Sequence, residues 1–180
     1  MGSNYSKEIH LDGCVMSRFD AHCGVTNATI KNCTLGHQGL NLIGFGEFVI
    51  ENSTVKGASF INFRPDYGSF FDGNVTIKGC TWEPCCGNGA QIFSAYNTGD
   101  HDFGYRCTLP KNITIDGLTV KDSAFKSSTK LYILPNYDAD FSLDKPFAYG
   151  TPAVISLVGI SVESGRSFKL FENSMQYLGE

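Results

Sequence analysis

Six octets decide how this chain is read: IHLDGCVM (9–16), ATIKNCTL (28–35), FVIENSTV (48–55), VTIKGCTW (75–82), ITIDGLTV (113–120) and ISLVGISV (155–162). Their first and third positions are apolar in nearly every copy, and so, with small exceptions, are the sixth and eighth. The second and seventh are mostly Thr, Ser or another residue tolerated on a wet face. Alternation with a period of two is a strand pattern rather than a helical one. The fifth position holds only Gly13, Asn32, Asn52, Gly79, Gly117 and Gly159. Gly and Asn enter left-handed backbone most cheaply. Each octet therefore predicts a short strand, a one-residue left-handed bend and a second short strand, with the inward set restored after the bend.

Working outward, the bends are 19, 20, 27, 38 and 42 residues apart. The first two spacings fit one turn of a β-solenoid, and the later ones fit the same turn with growing loop insertions. A second apolar strand follows each octet: AHCGV (21–25), GLNLI (39–43), SFINF (59–63), AQIFS (90–94), KLYIL (130–134) and SFKLF (167–171). The expected fold is all-β, a single-stranded parallel β-helix of about six coils with long insertions in its C-terminal half. At ~4.8 Å between strands, that stack stands about 30 Å tall. Met1-Gly2-Ser3 reads as an expression-derived start. Residues 1–7 are accordingly expected to be expression-derived or disordered, and residues 8–180 to form one domain.

Composition narrows the function classes. The 180 residues are 42% hydrophobic, which excludes wholesale disorder. Fourteen Lys and Arg against 18 Asp and Glu give a net charge of −4. Nothing there would neutralise a phosphate backbone, so no nucleic-acid partner is expected. No run approaches the ~20 apolar residues of a membrane span, and no membrane partner is expected either. Seven cysteines leave at least one unpaired. A disulfide joining Cys85 or Cys86 to Cys107 and a set of reduced, buried thiols made in a reducing cytoplasm both remain open. Cys14, Cys33 and Cys80 share the inward sixth position with Ser53, Leu118 and Ile160, a small-residue core stack rather than a metal site. Trp82 takes the inward eighth position and reads as core. No metal and no cofactor are expected. The Asn-x-Ser/Thr sequons at Asn27, Asn32, Asn52, Asn74 and Asn112 follow from the repeat without any glycan.

The ~20-residue repeats with Asn and Gly bends resemble the right-handed parallel β-helix of the pectin-lyase-like superfamily over most of residues 8–172. The stretch SRFDAHCGVTNATIKNCTLGHQGLNLIG (17–44) is similar to β-helix regions of prophage tail and tail-spike proteins of gut Firmicutes, a resemblance resting mainly on residues 17–82. These likenesses imply right-handed winding, a place on a virion tail or bacterial cell surface, a glycan partner and a homotrimer. Neither brings a catalytic motif: the vicinal calcium-binding carboxylates of pectate lyases and the paired Asp residues of polygalacturonases are both unmatched.

One polar row remains unexplained by the repeat. Counting six residues past the octet sets His22 over Asn41, and Asn62 follows if one extra residue is allowed. Period two adds Asp20 beside His22 and Arg64 beside Asn62 on the outer face. Asp66 and Tyr67 follow in the turn, and His37 lies in a corner. Asp20, His22, Arg64 and Asp66 are the catalytic candidates, with Asp20 and Asp66 as an acid/base pair. His22, His37, Asn41, Asn62, Arg64 and Tyr67 are the ligand candidates, able to orient sugar hydroxyls or a uronate carboxylate. The same residues also read as ordinary solvated polar groups locking corners. Insertions 64–73, 83–111 and 135–152 mix Tyr, Phe, Asp and Asn, as either a carbohydrate-binding loop or a packed one does. Asp100-His101-Asp102 is weak evidence for a cation site. Three functions follow: a non-catalytic glycan-recognising module, a polysaccharide lyase or glycoside hydrolase, and a structural spacer.

Overall fold

A residue with positive φ turns a strand sharply without ending it, and this chain uses one such residue per repeat. The computed structural model describes residues 2–85, 90–95, 100, 108–134, 148–149 and 154–170. In it the six fifth-position residues all have positive φ: Gly13 64°, Asn32 52°, Asn52 47°, Gly79 55°, Gly117 85° and Gly159 65°. The octets then stack in register. Ile9 lies beside Ala28, Ala28 beside Phe48, Phe48 beside Val75, Val75 beside Ile113 and Ile113 beside Ile155.

The strands are β1 (Gly2–Ser3), β2 (Glu8–Asp12), β3 (Val15–Val25), β4 (Asn27–Lys31), β5 (Thr34–Glu51), β6 (Thr54–Val55), β7 (Ile61–Phe63) and β8 (Phe71–Trp82). They continue as β9 (Ala90–Gln91), β10 (Phe93–Ser94), β11 (Thr108–Leu109), β12 (Asn112–Val120), β13 (Leu131–Tyr132), β14 (Ala148–Tyr149), β15 (Val154–Val162) and β16 (Phe168–Lys169). Eleven strands form one sheet, and two smaller sheets hold two and three. All pairings between the named strands are parallel. The protein is all-β, and among the described residues the one helical turn is the 3-10 turn Pro65–Tyr67. Residues 2–7, expected outside the folded part, belong to it. Strand β1 pairs with Asp20 and Ala21, and the carbonyls of Ser6 and Lys7 accept from Thr26 and Asn27. Backbone pairing there satisfies groups that a loose leader would leave to water.

The inward positions fill one core. Ile30, Leu35, Ile50, Val55, Ile77, Trp82, Ile115 and Val120 are fully buried. Trp82 donates from Nε1 to the Gly57 carbonyl at 2.9 Å and meets Phe125 edge-on, with centroids 5.8 Å apart. The sixth-position column packs small polar atoms against backbone. Ser53 Oγ accepts from Cys33 N at 3.0 Å and donates to the Glu51 carbonyl at 2.7 Å. Burial pushes the Cys80 thiol up to about 11, which keeps it protonated and inert.

Outside, charge alternates up the stack. Asp12, Lys31, Glu51, Lys78 and Asp116 occupy one column, with Lys31 and Lys78 at 2.9 and 4.0 Å from Glu51. Just past the octets, Lys56 and Lys121 flank Glu83 at 3.4 and 2.6 Å. Three sequon amides form a third column with Glu47. Asn27 Oδ1 accepts from Glu47 N at 2.9 Å, Asn74 Nδ2 donates to Glu47, and Asn112 Nδ2 donates to Asn74 at 2.6 Å. The last repeat is tied down by Asp122, only 3% exposed. Its carboxylate accepts from Ser164 N at 3.1 Å, Ser164 Oγ at 2.6 Å and the Arg166 guanidinium. Burial pushes that carboxyl up, but these bonds outweigh it and hold it below its ordinary value.

Asn52→Val is expected to lower stability by about 1–2 kcal/mol, because a β-branched side chain pays the left-handed penalty in full. Asn52→Gly is expected to stay close to wild type. Urea unfolding of both variants checks this, and equal losses would mean the bend is not held in that conformation. Trp82→Ala should lose about 3–5 kcal/mol in the same assay.

Candidate functional site

The site lies on the row of second strands. Phe19, Leu40, Ile61 and Phe93 are paired neighbours pointing inward, fully or almost fully buried. The alternate residues, Asp20, Asn41, Asn62 and Ser94, form a line on the other face.

That register differs from the one expected from counting. Asn41 lies beside Asp20, not beside His22. The corner from Met16 to Phe19 is two residues shorter than the corner from Leu35 to Leu40, and the corner from Val55 to Ile61 is one residue longer still. Register is set by strand pairing, so corners absorb the difference in length. The account closes at a second irregularity, where Ala21 to Val25 faces the shorter Leu42 to Gly44. His22 falls in that bulge.

The bulge brings His22 to Arg64. Arg64 Nη1 contacts His22 Nε2, and Arg64 holds Asp66 through two bonds, Nε to Oδ1 at 3.0 Å and Nη2 to Oδ2. Pro65, Asp66 and Tyr67 make the 3-10 turn, which folds Asp66 back under the guanidinium and sets Tyr67 beneath it. The Arg64 guanidinium carbon is 5.0 Å from the Tyr67 ring centroid, and the His22 and Tyr67 rings are 6.1 Å apart. Burial lowers the pKa of His22, the Arg64 charge lowers it further, and Asp20 and Asp66 oppose them only in part. A neutral His22 accepts from Arg64 at Nε2, which places its proton on Nδ1. Burial works against the Arg64 charge, but the bond and charge of Asp66 more than offset it and raise the Arg64 pKa.

Asp20 stands apart from its expected role. Expected on the open outer face, it is 2% exposed, closed between Gly2 of β1 and Asn41, with Arg18 Nε against its carboxylate. A substrate cannot reach a carboxylate so enclosed. Asp66 is committed to Arg64. The pair expected to act as acid and base is therefore two salt-bridged carboxylates, one of them inaccessible.

His37, Asn41 and Asn62 gather instead around a hollow of about 260 Å3 that also takes in Gln38, Ser59 and Ser94. Asn62 Nδ2 donates to Asn41 Oδ1 at 2.9 Å, and Asn41 Nδ2 donates to the Gln38 carbonyl at 3.0 Å. Gly39 and Gly57 line the hollow where two corners pack closely against each other: a Cβ on Gly57 would come within 3.0 Å of the Gly39 Cα. Gln38, Ser59 and Ser94 escaped the sequence reading. Ser59 opens one apolar run and Ser94 closes another, and alternation alone does not say which corner they face.

Cys86, Cys107, His101, Asp102 and most of the insertions 83–111 and 135–152 lie outside the described residues. Among the described residues no group of three or more His, Cys, Asp or Glu side chains could hold a metal ion, and no helix is long and apolar enough to cross a membrane. The chain matches no protein-family model and no solved structure.

The lowered pKa of His22 has a consequence with a definite sign. As pH falls below 6.5, the unfolded chain binds a proton at this residue before the folded protein does, so stability falls. The contribution is present in full above that value and is lost down to the folded pKa. Urea unfolding from pH 7.5 to 5 is expected to show a steeper acid loss for wild type than for His22→Gln. Parallel curves would remove the neutral His22–Arg64 contact from the account.

Proposed function

We propose that the stacked octets and the second-strand row are two faces of one right-handed parallel β-helix. We further propose that this solenoid is a non-catalytic carbohydrate-recognising module of a phage or prophage tail or bacterial surface protein. Supporting the winding, partners in the first repeats are 19 to 21 residues apart, one short turn each, and all pair in parallel. Parallel crossovers in one sheet are right-handed in about 98% of cases. The tail or surface setting, the extracellular location and a trimeric state rest on the sequence resemblance.

Recognition is carried by one observation: a hollow on rigid paired strands whose rim presents hydroxyl, carboxamide and imidazole groups. Sugars are recognised by such groups, because each hydroxyl both donates and accepts. The state of the carboxylates argues against hydrolysis or elimination, since Asp20 is enclosed and Asp66 is held by Arg64. The spacer reading draws on the Asn41–Asn62 ladder and the Arg64–His22 contact, which tie neighbouring strands together whether or not a ligand binds.

A glycan array combined with a polysaccharide-digest screen separates the three. Wild type is expected to bind glycan and release no shortened product. Products that disappear in Asp66→Asn would make the protein an enzyme. Silence in both assays would leave a spacer.

A further inference from the structure

The face is built from groups that carry no net charge, and this restricts what it can bind. Two cations and two anions stand at the end of the row, and they are matched in pairs, Arg18 with Asp20 and Arg64 with Asp66. The guanidinium of Arg64 is spent: Nε and Nη2 face Asp66, and Nη1 faces His22. A ligand carboxylate would need the two-pronged guanidinium that Asp66 already occupies, and would meet that anion on approach. The enclosed Asp20 is likewise matched by Arg18, and His22, whose pKa is lowered by burial and then by the Arg64 charge, adds no positive charge at neutral pH.

The hollow supplies the complement. Arg64 is two residues beyond Asn62 on the same strand face, so the charged cluster begins ~7 Å from the hollow. Of its polar lining, His37, Gln38, Asn41, Ser59, Asn62 and Ser94, none is a Lys, Arg, Asp or Glu. Asn41 is engaged through both ends of its amide. Among the described residues, Asn62 Oδ1, the Gln38 carboxamide, the hydroxyls of Ser59 and Ser94 and the His37 ring take no protein hydrogen bond. Both donors and acceptors are thus turned to solvent within one depression. Its volume, about 260 Å3, is below the roughly 300–1,000 Å3 of sites for drug-sized ligands. That suits a single ring with several hydroxyls.

We infer that this hollow is a subsite for one uncharged pyranose ring, and that the face selects neutral glycans over those bearing carboxylates. The inference rests on the carbohydrate reading above and adds the ligand class. The hollow reads ring hydroxyls, and the compensated Arg64–Asp66 pair turns away uronates and other acidic sugars.

The test compares neutral oligosaccharides (hexose and N-acetylhexosamine) with uronate-containing counterparts of the same length, by array and then by calorimetry. Ser94→Leu and Ser59→Leu fill the hollow from strand β10 and from the corner before β7, and thermal unfolding verifies that each variant is folded. Neutral ligands are expected to bind with little dependence on salt between about 50 and 500 mM, since no ion pair would be screened. Filling the hollow should weaken binding about tenfold or more in a variant that unfolds normally. Preference for acidic glycans that weakens with salt would overturn this inference and leave the carbohydrate reading standing. Wild-type affinity in both folded variants would also overturn it, by moving the site elsewhere. No glycan bound by wild type would end both.

Discussion

A single left-handed residue in each repeat is the constraint on which the rest of this structure depends. A strand that bends without it would place the wrong side chains inside, because side chains alternate and one slipped residue inverts both faces. Residues such as Asn32 and Asn52 turn the chain and restore parity at once, so Ile30 and Leu35 both face inward across the bend. Stacked in line, the bends also fix the neighbours. Gly13 donates to the Lys31 carbonyl, Asn32 to that of Glu51 and Asn52 to that of Lys78, at 3.0, 3.1 and 2.9 Å. The bend column is thus itself hydrogen-bonded, and the core columns on both sides inherit its register.

Apolar columns alone would tolerate a slip of one repeat, since Ile, Leu and Val recur in all of them. The outer columns discriminate. Alternation of Lys31, Glu51 and Lys78, and again of Lys56, Glu83 and Lys121, places opposite charges side by side in one stacking order. Each exposed pair contributes little to stability. Their effect lies in penalising the orders that bring like charges together. The column of Asn27, Glu47, Asn74 and Asn112 acts similarly through amides. Its three Asn residues look like glycosylation sequons in the linear sequence, and their side chains are occupied within the sheet.

The second-strand face differs from these columns because its ladder is incomplete. Asn62 reaches Asn41, while Gln38, Ser59 and Ser94 surround a depression beside which Gly39 and Gly57 let two corners pack together. A column that only held strands together would have no use for unspent donors around a gap. A few strand residues away, the opposite holds: Arg64, Asp66, His22 and Tyr67 satisfy one another in a closed cluster. Together they make a face with one open polar hollow and one neutral, rigid flank.

The octets, their six bends, the inward columns with Cys33, Ser53, Cys80 and Trp82, and the parallel stacking were all legible in the linear sequence. They are local periodicities repeated until chance is an unlikely source, and strand alternation translates directly into inside and outside. The row holding the candidate site was only half legible. Its residue types could be named, but its register could not, because corners between Met16 and Phe19 or Val55 and Ile61 vary in length without any periodic signal. Tertiary structure alone decided that Asp20 is shut in beside β1, that a bulge delivers His22 to Arg64, and that Gln38, Ser59 and Ser94 share one hollow. The physical reason is the same in each case. Pairing between strands is cooperative and rewards alignment, so irregularities in chain length are pushed into corners and bulges, where spacing along the chain no longer tells which side chains meet.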